Sequence, residues 1–264
     1  MRVPRFSALT AGLLLLLAAG CGVQTPPLQT GTPLSGNWSF QAQSKAQNQP
    51  LTLNLGFTQG SYETVSAVAR LNGASCVSPA TNILLTGSVS GNNALTLVSQ
   101  PFGGTTLVLQ GEVAATGNAI GGATWSFKGG SCGSLGQMNV AATDYSQISG
   151  LYSGNFTDNS GNSLPVSATL LQTTQPNANG QFTLSGTATF PSNTCFVQQP
   201  TLTSSVVTGD ALSMTYTDSS SGTVLTAAGT FNSTATQLTI SHWSIAGGNC
   251  DGDSGTGVLT EGAQ

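Results

Sequence analysis

The sequence feature that most constrains this chain is the motif W-S-x-x-G-G-x-C, which occurs twice. The first copy runs from Trp125 to Cys132 and the second from Trp243 to Cys250, 118 positions further along the chain. Solenoid repeats span about 20–50 residues, so this period is too long for one. Two units of roughly 110 residues match the size of ordinary single domains. The motif therefore predicts a duplicated domain.

Other matches extend the repeat toward the N-terminus. Residues 35–38 (Ser-Gly-Asn-Trp) correspond to residues 149–152 (Ser-Gly-Leu-Tyr), and Cys76 corresponds to Cys195. The predicted boundaries are 34–143 for the first repeat and 148–264 for the second.

The N-terminus has the pattern of an export signal over residues 1–20. Arg2 and Arg5 precede an apolar run of about a dozen residues, shorter than the about 20 that a membrane-spanning helix needs. Residues 18–21 (Ala-Ala-Gly-Cys) resemble the lipobox of bacterial lipoproteins, with alanine where that family favours leucine. The resemblance implies that Cys21 becomes a lipidated N-terminus carrying palmitate-type acyl chains. The alternative is an ordinary secretory signal with a chance cysteine.

Residues 21–33 contain three prolines and no charge, which is typical of a flexible linker between a lipid anchor and a folded domain. Gly22 follows the cysteine, so the aspartate that retains some lipoproteins at the inner membrane is absent. The predicted location is the bacterial cell envelope, at the periplasmic or surface face of the outer membrane.

From residue 34 onward apolar residues alternate with Thr, Ser, Asn and Gly, which indicates antiparallel strands with one buried face. Sequential short strands joined by turns predict two tandem eight-stranded up-and-down β-barrels, an all-β architecture similar to lipocalins. A β-sandwich is the alternative. The predicted strands are 36–42, 51–58, 62–72, 82–90, 94–100, 104–115, 118–127 and 134–142 in the first repeat, and 150–157, 164–173, 180–190, 201–207, 210–217, 223–231, 236–246 and 255–260 in the second.

The scarcity of charge favours closed barrels. Charged residues make up 5% of the chain, against roughly 25% in typical soluble domains. Open sheets protect their edges with lysine and other charges, yet the chain after residue 20 contains three cations: Lys45, Arg70 and Lys128. A closed barrel has no edge to protect.

Four cysteines remain after Cys21, an even number that suits an oxidising compartment, and four cysteines allow three connectivities. In a meander the third and seventh strands run in the same direction, so the cysteines that follow them lie at the same end of one barrel. The expected disulfides are Cys76–Cys132 and Cys195–Cys250. A metal site is disfavoured, because no two cysteines are close in sequence and the chain has one histidine.

The charge balance limits the partners. Nine acids and three bases give the chain after residue 20 a net charge of −6, so it lacks the cations that neutralise phosphates, and nucleic acid is excluded as a partner. Attraction to anionic lipid is equally disfavoured, which leaves the acyl chains as the membrane attachment.

Three short motifs resemble motifs found in enzyme active sites or metal sites. Residues 252–255 (Gly-Asp-Ser-Gly) resemble the nucleophile motif of chymotrypsin-like proteases, but His242 is the one histidine and the triad cannot be assembled in that family's way. Residues 129–133 fit G-x-S-x-G without the helix that this motif requires. Asp251 and Asp253 lack the remaining ligands of a calcium loop. We therefore predict no catalytic residue, no metal and no cofactor.

Two function classes remain. The first is a non-enzymatic, membrane-anchored lipoprotein whose barrels serve as surface or interaction modules for an envelope partner. The second is a lipocalin-like binder of a small apolar ligand in a barrel lumen. Met214 and Tyr216 are expected in the interior of the second barrel, Trp243 is expected in a core, and His242 is expected on the buried face with Leu238 and Ile240, opposite to Trp243. Side chains of this size predict filled barrels.

Overall fold

The computed structural model describes residues 34–44, 49–59, 64–191 and 195–262. Over these ranges the chain forms two antiparallel sheets in sequence order, one nearly closed and one closed. The all-β prediction with two barrels is confirmed, and the strand order rules out the β-sandwich. The predicted signal peptide, Cys21 and the linker lie outside the described residues. Within the described ranges no helix is long and apolar enough to cross a bilayer.

The first sheet, barrel 1, has nine strands rather than the eight predicted. The expected last strand is divided: β8 pairs with β7, β9 pairs with β1, and only Val140 lies between them. The chain thus crosses from the last strand to the first and nearly closes the sheet. The elements are β1 Gly36–Ser44, β2 Gln49–Gln59, β3 Thr64–Asn72, β4 Ile83–Val89, β5 Ala94–Ser99, β6 Thr106–Val113, β7 Ile120–Lys128, a 3-10 turn Gly133–Leu135, β8 Gln137–Asn139 and β9 Ala141–Tyr145.

The second sheet, barrel 2, is a closed barrel of eight strands in which β17 pairs with both β16 and β10. One seam is thin, because the register of β12 with β13 contains a single residue pair, Thr187 with Thr201. The elements are β10 Ser149–Asp158, β11 Ser163–Gln172, β12 Leu184–Thr189, β13 Thr201–Thr208, β14 Ala211–Thr217, β15 Val224–Phe231, β16 Gln237–Ala246, a 3-10 turn Gly248–Cys250 and β17 Ser254–Glu261.

Large side chains pack the interior of both barrels. Strand β5 alternates between exposed and buried residues along its length, as a strand with one buried face does. In each barrel the buried apolar residues form one cluster. Phe156 of the first strand and Trp243 of the seventh strand of barrel 2 stack with ring centroids 5.6 Å apart, so these two strands contact each other in the core. The largest fully buried side chains include Trp38, Phe40, Phe57, Trp125, Tyr152, Phe156, Phe182 and Trp243.

A β-bulge in β16 corrects the prediction for His242. The pairing of β16 with β17 shifts between Ile240 and Trp243, which leaves His242 exposed and turns Trp243 inward. A bulge inserts an extra residue, so the alternation of inward and outward side chains changes phase at that point. Trp243 therefore shares the buried face with Leu238 and Ile240. Barrel 1 has a related irregularity in its β6–β7 pairing, where two consecutive glycines of β7 are exposed.

Candidate functional site

The two barrels contact each other through the side chain of Asn37. Its Nδ2 donates to Gly209 O at 2.7 Å, and its Oδ1 accepts from Gly209 N at 2.8 Å. Asn37 belongs to β1, whereas Gly209 lies in the tight turn between β13 and β14. The amide therefore bonds to the backbone of the other barrel as a neighbouring strand would. Asn37 is 1% exposed, so water does not compete for these two hydrogen bonds.

Two glycines allow the turns of barrel 2 to approach barrel 1 closely. Gly209 has φ of +58°, and a Cβ there would lie 2.5 Å from Asn54 Oδ1. Gly180, between β11 and β12, has φ of +70°, and a Cβ there would lie 2.1 Å from Val68 O. Both positions have a left-handed backbone conformation and no space for a Cβ atom, so only glycine fits there without strain. We call this surface, formed by the two turns and by strands β1 to β3, the junction.

The connection between the barrels also packs at their contact. Tyr145, the last residue of β9, is buried and places its ring against Phe231, with centroids 5.4 Å apart. The next residue, Ser146, donates its backbone N–H to Ser233 O at 2.8 Å. Burial raises the pKa of Asp144 to about 6, although a backbone hydrogen bond from Tyr145 acts in the opposite direction. The residues between the two predicted repeats therefore form ordered contacts with barrel 2.

A disulfide lies in each barrel, with the pairing expected from the meander. The bridges are Cys76–Cys132, with Cα atoms 5.2 Å apart, and Cys195–Cys250, with Cα atoms 5.1 Å apart. In barrel 1 the Ser131 hydroxyl donates to Cys76 O at 3.0 Å, and the buried hydroxyl of Thr105 accepts from Cys132 N at 3.1 Å. The serine of the G-x-S-x-G match thus ties two cysteine-containing loops together, which is a structural role.

Asp218 anchors the loop between β12 and β13. Its carboxylate accepts from the backbone N–H groups of Val197 at 2.7 Å and Gln198 at 3.0 Å. It also accepts from the hydroxyls of Ser220 at 2.6 Å and Ser221 at 2.7 Å. The hydrogen bond from the Ser220 side chain is the largest influence, and these bonds together hold the pKa of Asp218 well below its usual range despite burial. The carboxylate and the nearby disulfide together fix this loop.

The anchored loop lines a cleft, which we call the mouth cleft. Aromatic rings lead from the core to it: Phe156 lies 6.4 Å from Phe190, and Phe190 lies 4.6 Å from Phe196, between ring centroids. Val197 at its rim is 75% exposed. The cleft has a volume of about 280 Å³ and is lined by Thr189, Phe190, Pro191, Phe196, Val197, Gln198, Gln199 and Pro200. The aromatic, proline and valine side chains suit the apolar part of a small molecule, and Thr189, Gln198 and Gln199 add polar groups to the same walls.

The structure does not assemble a protease triad from the Gly-Asp-Ser-Gly motif. Ser254 Oγ accepts from Asn159 Nδ2 at 3.0 Å, and His242 lies at the exposed bulge. Asp251 Oδ1 accepts from Gly247 N at 2.8 Å, as a turn residue does. Among the described residues, Cys195, Cys250 and Asp253 bring possible metal-ligating atoms within 4.8 Å of one another. Both sulfurs are bonded in the disulfide, so neither is a thiolate that could bind a metal.

Sequence reasoning missed the three residues that organise these sites: Asn37, Gly209 and Asp218. The run Asp-Ser-Ser-Ser-Gly at 218–222 indicates a turn that side chains stabilise. The aspartate carboxylate accepts hydrogen bonds from nearby backbone N–H groups, and serine hydroxyls form similar but weaker bonds. Asn37 could have been noticed as the polar member of a repeat position that holds Leu151 in the second copy. No local pattern indicates its partner, which is 172 residues away.

The fold and the junction define an all-β protein of two barrel-like sheets, each with one disulfide. No protein-family model matches the chain, and no curated protein matches it significantly. A crystal structure of a protein of unknown function from the DUF3598 family of Nostoc punctiforme is similar over 89% of this chain and 97% of that chain, with 12% identity and a TM-score of 0.20. The likeness is too distant to define a family or a function for this chain.

Proposed function

We propose that this chain is an exported, lipid-anchored, non-enzymatic protein of the bacterial cell envelope, whose two barrels act as one interaction module. The proposal rests on the interior of each barrel, where large apolar side chains pack together as one cluster. An eight-stranded barrel can hold a ligand only when its interior is left open. Filled barrels instead serve as frames, and their outer surfaces remain for recognition.

The junction supports a single module rather than two independent ones. The buried Asn37–Gly209 pair and the Tyr145–Phe231 contact both connect barrel 1 to barrel 2. The lipobox-like residues 18–21 support attachment to a membrane through Cys21, and the net charge of −6 leaves the acyl chains as the attachment. In this proposal the linker 21–33 holds the module near the membrane.

Mass spectrometry of protein made in a host with the lipoprotein pathway tests the anchor. The mature chain is expected to begin at Cys21 with attached acyl chains and to partition into the detergent phase. A Cys21→Ser variant is the matched control and should stay in the aqueous phase. Mature wild-type protein with an unmodified Cys21, or with a cut elsewhere, contradicts the anchor.

A second candidate function is the binding of a small apolar ligand. The observation that favours it is the mouth cleft, which would hold the ligand outside the barrel lumen. Thermal unfolding against a panel of fatty acids distinguishes the sites, because a ligand at 100 times its dissociation constant adds about 2.7 kcal/mol. A shift that Val197→Ser abolishes and Met214→Leu leaves intact identifies the mouth cleft. A shift that depends on Met214 would instead locate the ligand in the lumen and refute the filled-barrel proposal.

A further inference from the structure

The disulfide of barrel 2 differs from that of barrel 1 in having a carboxylate beside it. The Sγ atoms of Cys195 and Cys250 and a carboxylate oxygen of Asp253 all lie within 4.8 Å of one another. In barrel 1 the position three residues after Cys132 is Leu135, which is buried in the apolar core. The two bridges thus correspond in the repeat, but among the described residues only the bridge of barrel 2 forms such a group with an acidic side chain.

Cys250 and Asp253 are held close together by the turn that contains them both. Asp253 N donates to Cys250 O at 3.0 Å, and two more backbone hydrogen bonds attach the turn to β16: Gly252 N to Ile245 O at 3.0 Å and Ile245 N to Asp253 O at 2.8 Å. Two residues separate the two side chains, a spacing that structural zinc sites use for a pair of cysteines. These hydrogen bonds do not depend on the sulfur–sulfur bond.

The loop that contains Cys195 is also held in place by contacts other than the disulfide. The Asp218 carboxylate accepts from the backbone N–H groups of Val197 and Gln198, as described above. The loop packs directly on the turn, because a Cβ added at Gly248 would lie 3.1 Å from Cys195 O. Opening the disulfide therefore leaves both sulfurs and the Asp253 carboxylate near one another.

The surroundings of this group admit a cation and a reductant from solvent. Cys195 is buried, Cys250 is half-buried and Asp253 is exposed, so one sulfur and the carboxylate can be reached. No lysine or arginine follows Lys128 in the sequence, and Asp251 adds a second acidic side chain to the same turn. The local charge therefore attracts a cation.

From these observations we propose that reduction of the Cys195–Cys250 bridge creates a site for a divalent cation that prefers thiolates, such as Zn²⁺. The ligands of one zinc ion lie within roughly 4.5 Å of each other, since Zn–S is about 2.3 Å and Zn–O about 2.0–2.2 Å. The two sulfurs move apart when their bond opens, and small side-chain rotations then place all three atoms around one ion.

The chemistry of the switch needs a dithiol reductant. One of its thiolates attacks the half-buried Cys250 sulfur and displaces the Cys195 thiolate, and its second thiol then resolves the mixed disulfide. The bridge gains two electrons and two protons and becomes two thiols, while the reductant becomes a disulfide. Binding of Zn²⁺ releases the two thiol protons. The ion is then held by Cys195, Cys250 and Asp253, with a fourth position for water.

Absorption titration with Co²⁺, followed by displacement with Zn²⁺, tests this proposal on the full mature protein carrying Cys21→Ser. Tris(2-carboxyethyl)phosphine serves as the reductant because it opens disulfides without adding thiols. We expect a thiolate-to-cobalt absorption band in the reduced protein, its loss when Zn²⁺ is added, and no band in the oxidised protein. A reduced protein without the band, or an oxidised protein with it, overturns the proposal. Because Cys21 is replaced, the results do not depend on the lipid anchor.

The second disulfide provides a control within the same chain. Cys76→Ala/Cys132→Ala keeps the sulfurs of barrel 2 and should retain the band after reduction. Cys195→Ala/Cys250→Ala keeps the sulfurs of barrel 1, which have Leu135 in place of the aspartate, and should lose it. A band of equal strength from the barrel 1 pair overturns the proposal. If reduction alone unfolds barrel 2, Zn²⁺ should restore its β-type circular dichroism, and failure to do so also overturns it.

A pair of single variants tests the role of the carboxylate. Asp253→Asn should weaken Zn²⁺ binding by the reduced protein at least about tenfold. Asp251→Asn makes the same charge change in the same turn, and asparagine can keep the hydrogen bond from Gly247 N, so it should weaken binding by less than about threefold. Equal affinities of the two variants show that Asp253 is not a ligand and overturn the proposed site.

Discussion

Replacement of Asn37 by leucine should uncouple the two barrels. The substitution keeps the side chain near its original size and removes both hydrogen bonds to Gly209, at 2.7 and 2.8 Å. The Gly209 N–H and C=O then remain at a buried contact without partners. Each unsatisfied buried group costs about 1–3 kcal/mol. Because water can reach part of the widened contact, we expect a total loss of about 2–4 kcal/mol in the free energy of unfolding.

Urea unfolding of the full mature protein, followed by tryptophan fluorescence and circular dichroism, measures this loss. The wild type should unfold in one transition, with Trp38 and Trp125 in barrel 1 reporting together with Trp243 in barrel 2. Asn37→Leu should lower the urea midpoint or divide the transition into two. Asn155→Leu, at an exposed position of β10, is the matched control and should change stability by no more than about 0.5 kcal/mol. Identical midpoints for the two variants would refute the coupling argument.

Two other predictions concern the charge and covalent links described above. The pKa of Asp144 is raised to about 6, so the stability that its protonated form contributes is fully present below about pH 4 and is lost as the pH rises through about 6. The thermal midpoint of the wild type should therefore fall between these pH values, and that of Asp144→Asn should fall less. Parallel curves for the two proteins would contradict the raised pKa of Asp144. The double variant Cys195→Ala/Cys250→Ala should lose up to about 4 kcal/mol, since the bridge closes a loop of 55 residues. In this variant the backbone amide of Thr201, in the thin seam between β12 and β13, should be the first to exchange its hydrogen faster. A uniform increase in exchange across barrel 2 would show that the disulfide does not protect that seam specifically.

Most of the fold could be predicted from the sequence because its determinants are local. Alternation of apolar residues predicted the strands, and the strand order then predicted which cysteines pair. The errors occurred where geometry interrupts the alternation: the bulge beside His242 reversed the phase of β16, and the break at Val140 divided one strand into two. Neither is marked by a proline or by a distinctive turn residue.

The candidate sites were less predictable because they depend on contacts between distant residues. Arg70 could be recognised as one of few cations, but only the folded chain brings it to a surface cleft that Thr208 of barrel 2 also lines. The same applies to Asn37, whose amide has no partner within its own barrel among its described hydrogen bonds. Spacing within one repeat contains no information about how the two repeats meet.

The junction has a consequence for the symmetry of possible assemblies. It joins the strands of one copy to the turns of the other, so it is a head-to-tail contact. Repetition of such a contact produces rings or open-ended filaments rather than two-fold pairs. The position of Asn37 is occupied in barrel 2 by Leu151, which is 50% exposed and lies near the half-exposed Leu171. A leucine can neither donate to nor accept from an incoming turn. The pair of hydrogen bonds that Asn37 forms with a turn of barrel 2 therefore has no counterpart at this position of the second barrel.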